Sequence, residues 1–130
     1  MERPSQADRV FTYSYDAAGR LEEIEYPAGT GIKAHFVDDP DSPTPGSGFD
    51  ENGNLRYLWY RKNGGLIRRF EWTYDDSNNR QSQLDVTPSK AVKQEFGYDF
   101  LDRLETVKRA EATTVAGLGA LQLVSVYGFD

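Results

Sequence analysis

A short phrase recurs along the chain: two aromatic residues one apart, an Asp directly after the second, and a turn residue three positions beyond that Asp. It reads Tyr13-Ser14-Tyr15-Asp16-Ala17-Ala18-Gly19-Arg20-Leu21, then Phe49-Asp50-Glu51-Asn52-Gly53-Asn54-Leu55, where Ser47 takes the place of the first aromatic. Two more copies follow, Trp72-Thr73-Tyr74-Asp75-Asp76-Ser77-Asn78-Asn79-Arg80 and Phe96-Gly97-Tyr98-Asp99-Phe100-Leu101-Asp102-Arg103-Leu104, and Tyr127-Gly128-Phe129-Asp130 opens a fifth. A recurring unit turns the question from what one site does to what an array builds.

Successive Asp markers lie 34, 25, 24 and 31 residues apart, so the basic unit is near the shorter values and the longer ones hold insertions. The chain divides as one repeat region over residues 1–130, with units near 10–37, 49–74, 72–95 and 96–120 and an incomplete one from 127. The first insertion, 38–48, reads Asp-Asp-Pro-Asp-Ser-Pro-Thr-Pro-Gly-Ser-Gly, which has loop punctuation and no apolar period. The second lies around Ala110–Ala120, where small residues separate a charged strand from an apolar one.

Before each Asp, apolar residues alternate, as in Phe11, Tyr13 and Tyr15 or Phe70, Trp72 and Tyr74, which is strand periodicity. Asp-x-x-Gly then fits a type I turn whose carboxylate accepts local N–H groups, closed by a left-handed residue in a G1 bulge. Gly19 and Gly53 fill that slot, and Asn78 and Asp102, among the few other types that tolerate positive φ, fill it in the later copies. Asn63-Gly64 predicts a two-residue type I′ hairpin between Leu55–Lys62 and Leu66–Tyr74, with Tyr57 and Trp59 facing Phe70 and Trp72. Further strands are expected at Val10–Asp16, Leu21–Tyr26, Ile32–Val37, Arg80–Val86, Val92–Tyr98, Leu104–Arg109 and Leu121–Phe129. The segment Arg103–Ala116 is rich in Thr and Val without an apolar stripe, so no helix is expected. The fold class is all-β, built of tandem antiparallel hairpins.

These residues resemble the RHS or YD-repeat family, whose units carry Tyr-Asp-x-x-Gly-Arg-Leu or a Gly-Asn variant. Tyr15–Leu21 matches the first form in full, and Gly53-Asn54 follows the second. Asn78 and Asp102 depart from the family's Gly, and Phe49 and Phe129 from its Tyr. The resemblance implies a segment of a β-spiral, a wall of hairpins that in large exported proteins closes into a shell. In that reading the repeat residues Tyr13, Tyr15, Asp16, Gly19, Arg20, Phe49, Asp50, Gly53, Asn54, Trp72, Tyr74, Asp75, Asn78, Phe96, Tyr98, Asp99, Asp102, Arg103, Tyr127, Phe129 and Asp130 are structural. It further implies an extracellular or cell-surface location through an exported parent, with an enclosed toxin domain as cargo. Neighbouring repeats of a longer chain, or self-association through open sheet edges near Val10–Tyr15 or Leu121–Phe129, would be the partners. Carbohydrate binding, also associated with this family, is the alternative, with Tyr57, Trp59, Tyr60 and Trp72 as an aromatic platform. Against it, a small β unit needs its aromatic mass buried, stacked between successive coils, with partners for the Tyr hydroxyls.

The inventory for catalysis is poor: one His, no Cys, and no Ser in a nucleophile-elbow context. No enzymatic activity and no cofactor are expected. His35 reads as a half-exposed strand residue, without a second His to complete a usual zinc set. Asp38, Asp39 and Asp41, like Asp50 and Glu51, lack EF-hand spacing and read as solvated loop charge. A formal charge of −6 disfavours nucleic acid and anionic membranes as partners, and the basic cluster Arg61, Lys62, Arg68 and Arg69 reads as an exposed strand face. The opening residues Met1–Gln6 have no signal-peptide core, and no apolar run reaches transmembrane length.

Overall fold

The computed structural model describes residues 9–127. They form nine strands: β1 (Thr12–Tyr15), β2 (Leu21–Glu25), β3 (Ile32–His35), β4 (Tyr57–Lys62), β5 (Gly65–Tyr74), β6 (Arg80–Thr87), β7 (Lys90–Tyr98), β8 (Leu104–Ala112) and β9 (Gln122–Val126). Sheet order equals chain order, so the fold is all-β, a nine-stranded antiparallel meander with no α-helix among the described residues. The reason is local: each connection carries turn chemistry that returns the chain beside the strand it has just left. The described residues fall into two compact units, one through Arg69 and one from Phe70, the division falling within β5.

In the first unit, cross-strand partners set two unlike faces. One carries the row Tyr13, Ile24, Ala34 and Tyr60, and the other the rows Ser14, Glu23, His35, Trp59 and Thr12, Glu25, Lys33, Arg61. Period-two alternation thus puts apolar residues on one side and ionisable ones on the other. Ala34, Val37 and Leu58 are the buried apolar residues here. Asn63 and Gly64 both have positive φ (50° and 83°), the type I′ condition, so the β4–β5 loop needs only two residues.

β3 ends at His35, two residues short of the expected limit, and β4 begins at Tyr57 rather than Leu55. The cause is the chain's passage around Gly48. Gly48 N–H donates to the Phe36 carbonyl (2.8 Å), while its own carbonyl accepts from the N–H groups of Arg56 (2.6 Å) and Tyr57 (3.1 Å). Val37 and Leu55 keep only isolated bridges, to Ser47 and Phe49.

The second unit runs through β6, β7, β8 and β9 in long registers, including Gln83, Gln94, Arg109, Gln122 and Val86, Ala91, Ala112. Its buried apolar residues are Trp72, Val86, Ala91 and Val107. β6 and β7 meet through Pro88-Ser89, with Thr87 opposite Lys90, closing each strand further than expected. β8 also continues through Ala112, because Ala110 and Ala112 pair with Lys93 and Ala91. The second insertion is therefore shorter than expected, and its one regular element is a 3-10 turn at Val115–Gly117. The last strand, expected over Leu121–Phe129, is Gln122–Val126. Phe129 and Asp130 lie outside the described residues.

Burial of the repeat aromatics is uneven. Trp72 is 7% exposed, but Tyr13 and Tyr15 on β1 are 53% and 61% exposed, because among the described residues β1 has a strand on one side only. The Tyr98 hydroxyl, by contrast, donates to the Arg80 carbonyl at 2.6 Å and ties adjacent repeats together.

A Cβ at Gly48 would lie 2.5 Å from the Phe36 carbonyl and 2.7 Å from that of Tyr57, both backbone, so the neighbours cannot yield. Gly48→Ala should cost about 1–3 kcal/mol in thermal unfolding, whereas Gly119→Ala, with open space around it, should be near neutral.

Candidate functional site

Four turns share one hydrogen-bond plan. In the first, Gly19 N–H donates to the Asp16 carbonyl (2.9 Å) and Asp16 N–H to the Arg20 carbonyl (2.8 Å). Oδ1 of Asp16 accepts from the N–H groups of Ala18 and Arg20, each at 2.9 Å, and Oδ2 accepts from Arg20 Nε at 3.2 Å. Asp50 repeats the plan with Asn52, Gly53 and Asn54. Asp75 does so with Ser77, Asn78 and Asn79, and Asp99 with Leu101, Asp102 and Arg103. The closing residues Gly19, Gly53, Asn78 and Asp102 have φ of 81°, 82°, 64° and 60°. One carboxylate therefore satisfies two backbone donors and one side-chain donor in every copy.

This explains the residue after the left-handed position. It is Arg20, Asn54, Asn79 or Arg103, each a side-chain N–H donor to the second carboxylate oxygen. Asn79 escaped the reading of the sequence, although its match in donor chemistry to Arg20 was visible. It also donates to Asp102 Oδ1 at 3.1 Å, linking the third turn to the fourth. The N–H of Arg20 lowers the Asp16 pKa below 3.8, and that of Asn54 does the same for Asp50. Partial burial pushes Asp99 up, but the Arg103 and Leu101 N–H groups outweigh it and its value is also lowered. The stability these carboxylates contribute is present above pH 3.8 and is lost as pH falls through their folded values.

The 38–48 insertion builds the second constellation. Its turn is held by Asp38 Oδ1, which accepts from the N–H groups of Asp39 (2.7 Å) and Gly46 (2.8 Å), and by Asp39 Oδ1, which accepts from Asp41 N–H. It is fastened to β4 where Trp59 Nε1 donates to the Asp38 carbonyl (3.3 Å) and Arg61 Nη1 pairs with Asp41 (2.7 Å). Beside it lies a groove of about 770 Å³ lined by Glu23, Glu25, Lys33, His35, Pro40 and Arg61, among others.

His35 is one of its lining residues. Nδ1 is 3.4 Å from Glu23 Oε1, and Arg61 Nε donates to Nε2 at 3.4 Å. A neutral imidazole protonated on Nδ1 satisfies both contacts, and protonation of Nε2 would set two donors against each other. Burial, and then the Arg61 charge, hold the His35 pKa below 6.5, with Lys33 acting the same way and Glu23 and Asp41 opposing. Its second nitrogen is thus occupied by a guanidinium rather than open to a substrate. Among the described residues no cluster of three His, Cys, Asp or Glu side chains is placed to hold a metal ion.

The four aromatics considered as a sugar platform do not share one open strip. On β4, Tyr57 and Trp59 alternate with Tyr60, which points to the opposite face. The Trp59 ring is covered by Arg69 at 5.0 Å, and Arg56 lies 5.2 Å from the Tyr57 ring centre. Trp72 stacks on Phe70 at 5.1 Å, carries Arg80 at 4.9 Å and donates from Nε1 to Gln83 at 2.9 Å. Within the basic cluster, Arg61 and Arg69 are accordingly engaged by Asp41, His35 and Trp59.

Compared with protein-family models and with curated proteins, the chain matches none.

Asn78→Gly should be neutral or stabilise by up to about 1 kcal/mol in thermal unfolding, since it relieves a left-handed Asn, whereas Gly19→Val should lose about 1–2 kcal/mol. Asp102→Gly gains less than the backbone relief alone, because the Asn79 bond goes with it. Equal losses for all three would contradict this account of the turns.

The single imidazole makes a clean NMR titration. Its midpoint should lie below 6.5, rise on Arg61→Met and fall on Glu23→Gln. Because the folded value is lowered, the stability linked to His35 is complete at neutral pH and declines as pH drops below 6.5 through that folded value. A midpoint unmoved by Arg61→Met would refute the contact.

Proposed function

We propose that this chain is a non-enzymatic structural repeat segment, a length of YD-repeat β-spiral wall in a larger exported toxin-delivery or cell-surface protein. The observation that carries this reading is the fourfold return of one Asp-centred turn, with backbone donors at the same two positions at 2.8–3.0 Å and an Arg or Asn side-chain donor beside them, on side chains that the turn itself consumes. A wall needs register, and each turn sets it by satisfying the backbone at the end of a hairpin. It also needs ties between adjacent repeats. The Tyr98 hydroxyl on the Arg80 carbonyl and the Asn79 amide on Asp102 are such ties. Its action is steric: continuous strand pairing separates what lies on one side, an enclosed toxin domain in this reading, from the solvent on the other. Arginines over the Trp59 and Trp72 rings weigh against a sugar platform.

The test is the native transcript and the mass of the native protein. The expected result is an open reading frame with further Tyr-Asp-x-x-Gly units at similar spacing. A parent without other copies, together with saccharide binding that Trp59→Ala abolishes, would overturn the wall reading in favour of a glycan-binding module.

A further inference from the structure

Of the nine strands, only β1 (Thr-Tyr-Ser-Tyr) and β9 (Gln-Leu-Val-Ser-Val) carry no charged side chain, and these are the two at the ends of the strand order. Natural sheets do the reverse, blunting their edges with Lys, Pro or bulges. The β9 edge does have one such device, an extra residue at Val124, since Leu123 pairs with Lys108 and Ser125 with Val107. β1 has none. All four of its residues are exposed, and Val10 and Phe11, which lead into it, are 52% and 47% exposed.

We infer that β1 is a self-complementary edge at which two copies of this chain pair antiparallel about a twofold axis. Backbone alternation supplies the bonds. Asp16 N–H donates to the Arg20 carbonyl and Ser14 and Thr12 pair toward β2, which leaves the N–H and C=O groups of Tyr13 and Tyr15 directed away from the sheet. With the axis at Tyr13, that residue exchanges both of its hydrogen bonds with Tyr13 of the second copy. Phe11 then faces the second Tyr15, and Thr12 the second Ser14. Aromatics meet aromatics on one face and hydroxyls meet hydroxyls on the other, the favourable classes of cross-strand pair, with no like charges opposed. The apolar row Tyr13, Ile24, Ala34, Tyr60 continues across the axis into its own copy. A closed twofold is also the commonest way for a chain to meet itself.

The inference rests on the geometry of β1 and not on the repeat reading, and it concerns residues 1–130 taken by themselves. Sedimentation velocity over a range of concentrations tests it, with circular dichroism to confirm that each variant keeps its sheet. The expected result is a reversible species of twice the chain mass, weakened roughly tenfold or more by Tyr13→Lys, which sets two ammonium groups opposite each other, and untouched by Val124→Lys. In this cysteine-free chain, Tyr13→Cys should form a disulfide-linked dimer under mild oxidation, because directly paired Cα atoms fall in disulfide range. A folded monomer at every concentration overturns the inference and leaves the turns, and the wall reading built on them, intact. Dissociation by Val124→Lys rather than Tyr13→Lys overturns it as well.

Discussion

Everything in this structure depends on a carboxylate that accepts three hydrogen bonds at the end of a hairpin. Asp16, Asp50, Asp75 and Asp99 each take two backbone N–H groups on one oxygen and a side-chain N–H on the other. A short chain reversal leaves donors that the ladder cannot reach, and an acceptor one residue before the turn is the cheapest way to satisfy them. The left-handed closing residue lets Asp16 and Asp99 bond both to it and to the residue after it, and a further bulge follows in the next strand, where Glu22 and Glu105 are the extra residues. Once these reversals are set, sequential pairing follows without long-range instruction.

A meander of this kind has little to bury. Seven apolar residues are buried among those described, two of them alanines, and the remaining stability rests on ladder bonds and cross-strand pairs. That is why the first unit keeps a polar face where Glu23, His35, Lys33 and Arg61 answer one another across strands, and why the 38–48 insertion matters: it covers part of that face and fastens itself with Asp41 and the Asp38 carbonyl. In the second unit the same economy appears as a charged ladder, with Glu111 held by Lys90 at 2.6 Å and by Arg109 at 2.9 Å. Exposed aromatics on β1 are the remainder of that balance.

The sequence made most of the fold legible, because its signals are local. Asn63-Gly64 could hardly be anything but a primed turn, and alternation located all nine strands. What it misplaced were ends. β8 runs through Ala112 because Ala91 lies opposite, a fact about the neighbouring strand rather than about Ala110–Ala112. β3 stops at His35 because Gly48 enters the ladder from a distant loop. Asn79 stands where Arg20, Asn54 and Arg103 stand, so its bond to Asp75 was legible, but its second bond, to Asp102, depends on a turn in the next repeat.

By itself, the sequence determined the repeat, the all-β class, the turn positions and their positive φ, because each follows from the sterics and donors of adjacent residues. Tertiary structure alone decided which aromatics are covered. Trp72 and Tyr13 occupy the same place in their phrases, yet one is buried under Phe70 and Arg80 and the other stands in solvent. It also decided that His35, an ordinary strand residue by pattern, would lie between Glu23 and Arg61 with its pKa pushed down. The physical reason is that exposure and charge environment belong to neighbours across strands, and no residue carries in its own identity the number of strands that will lie beside it.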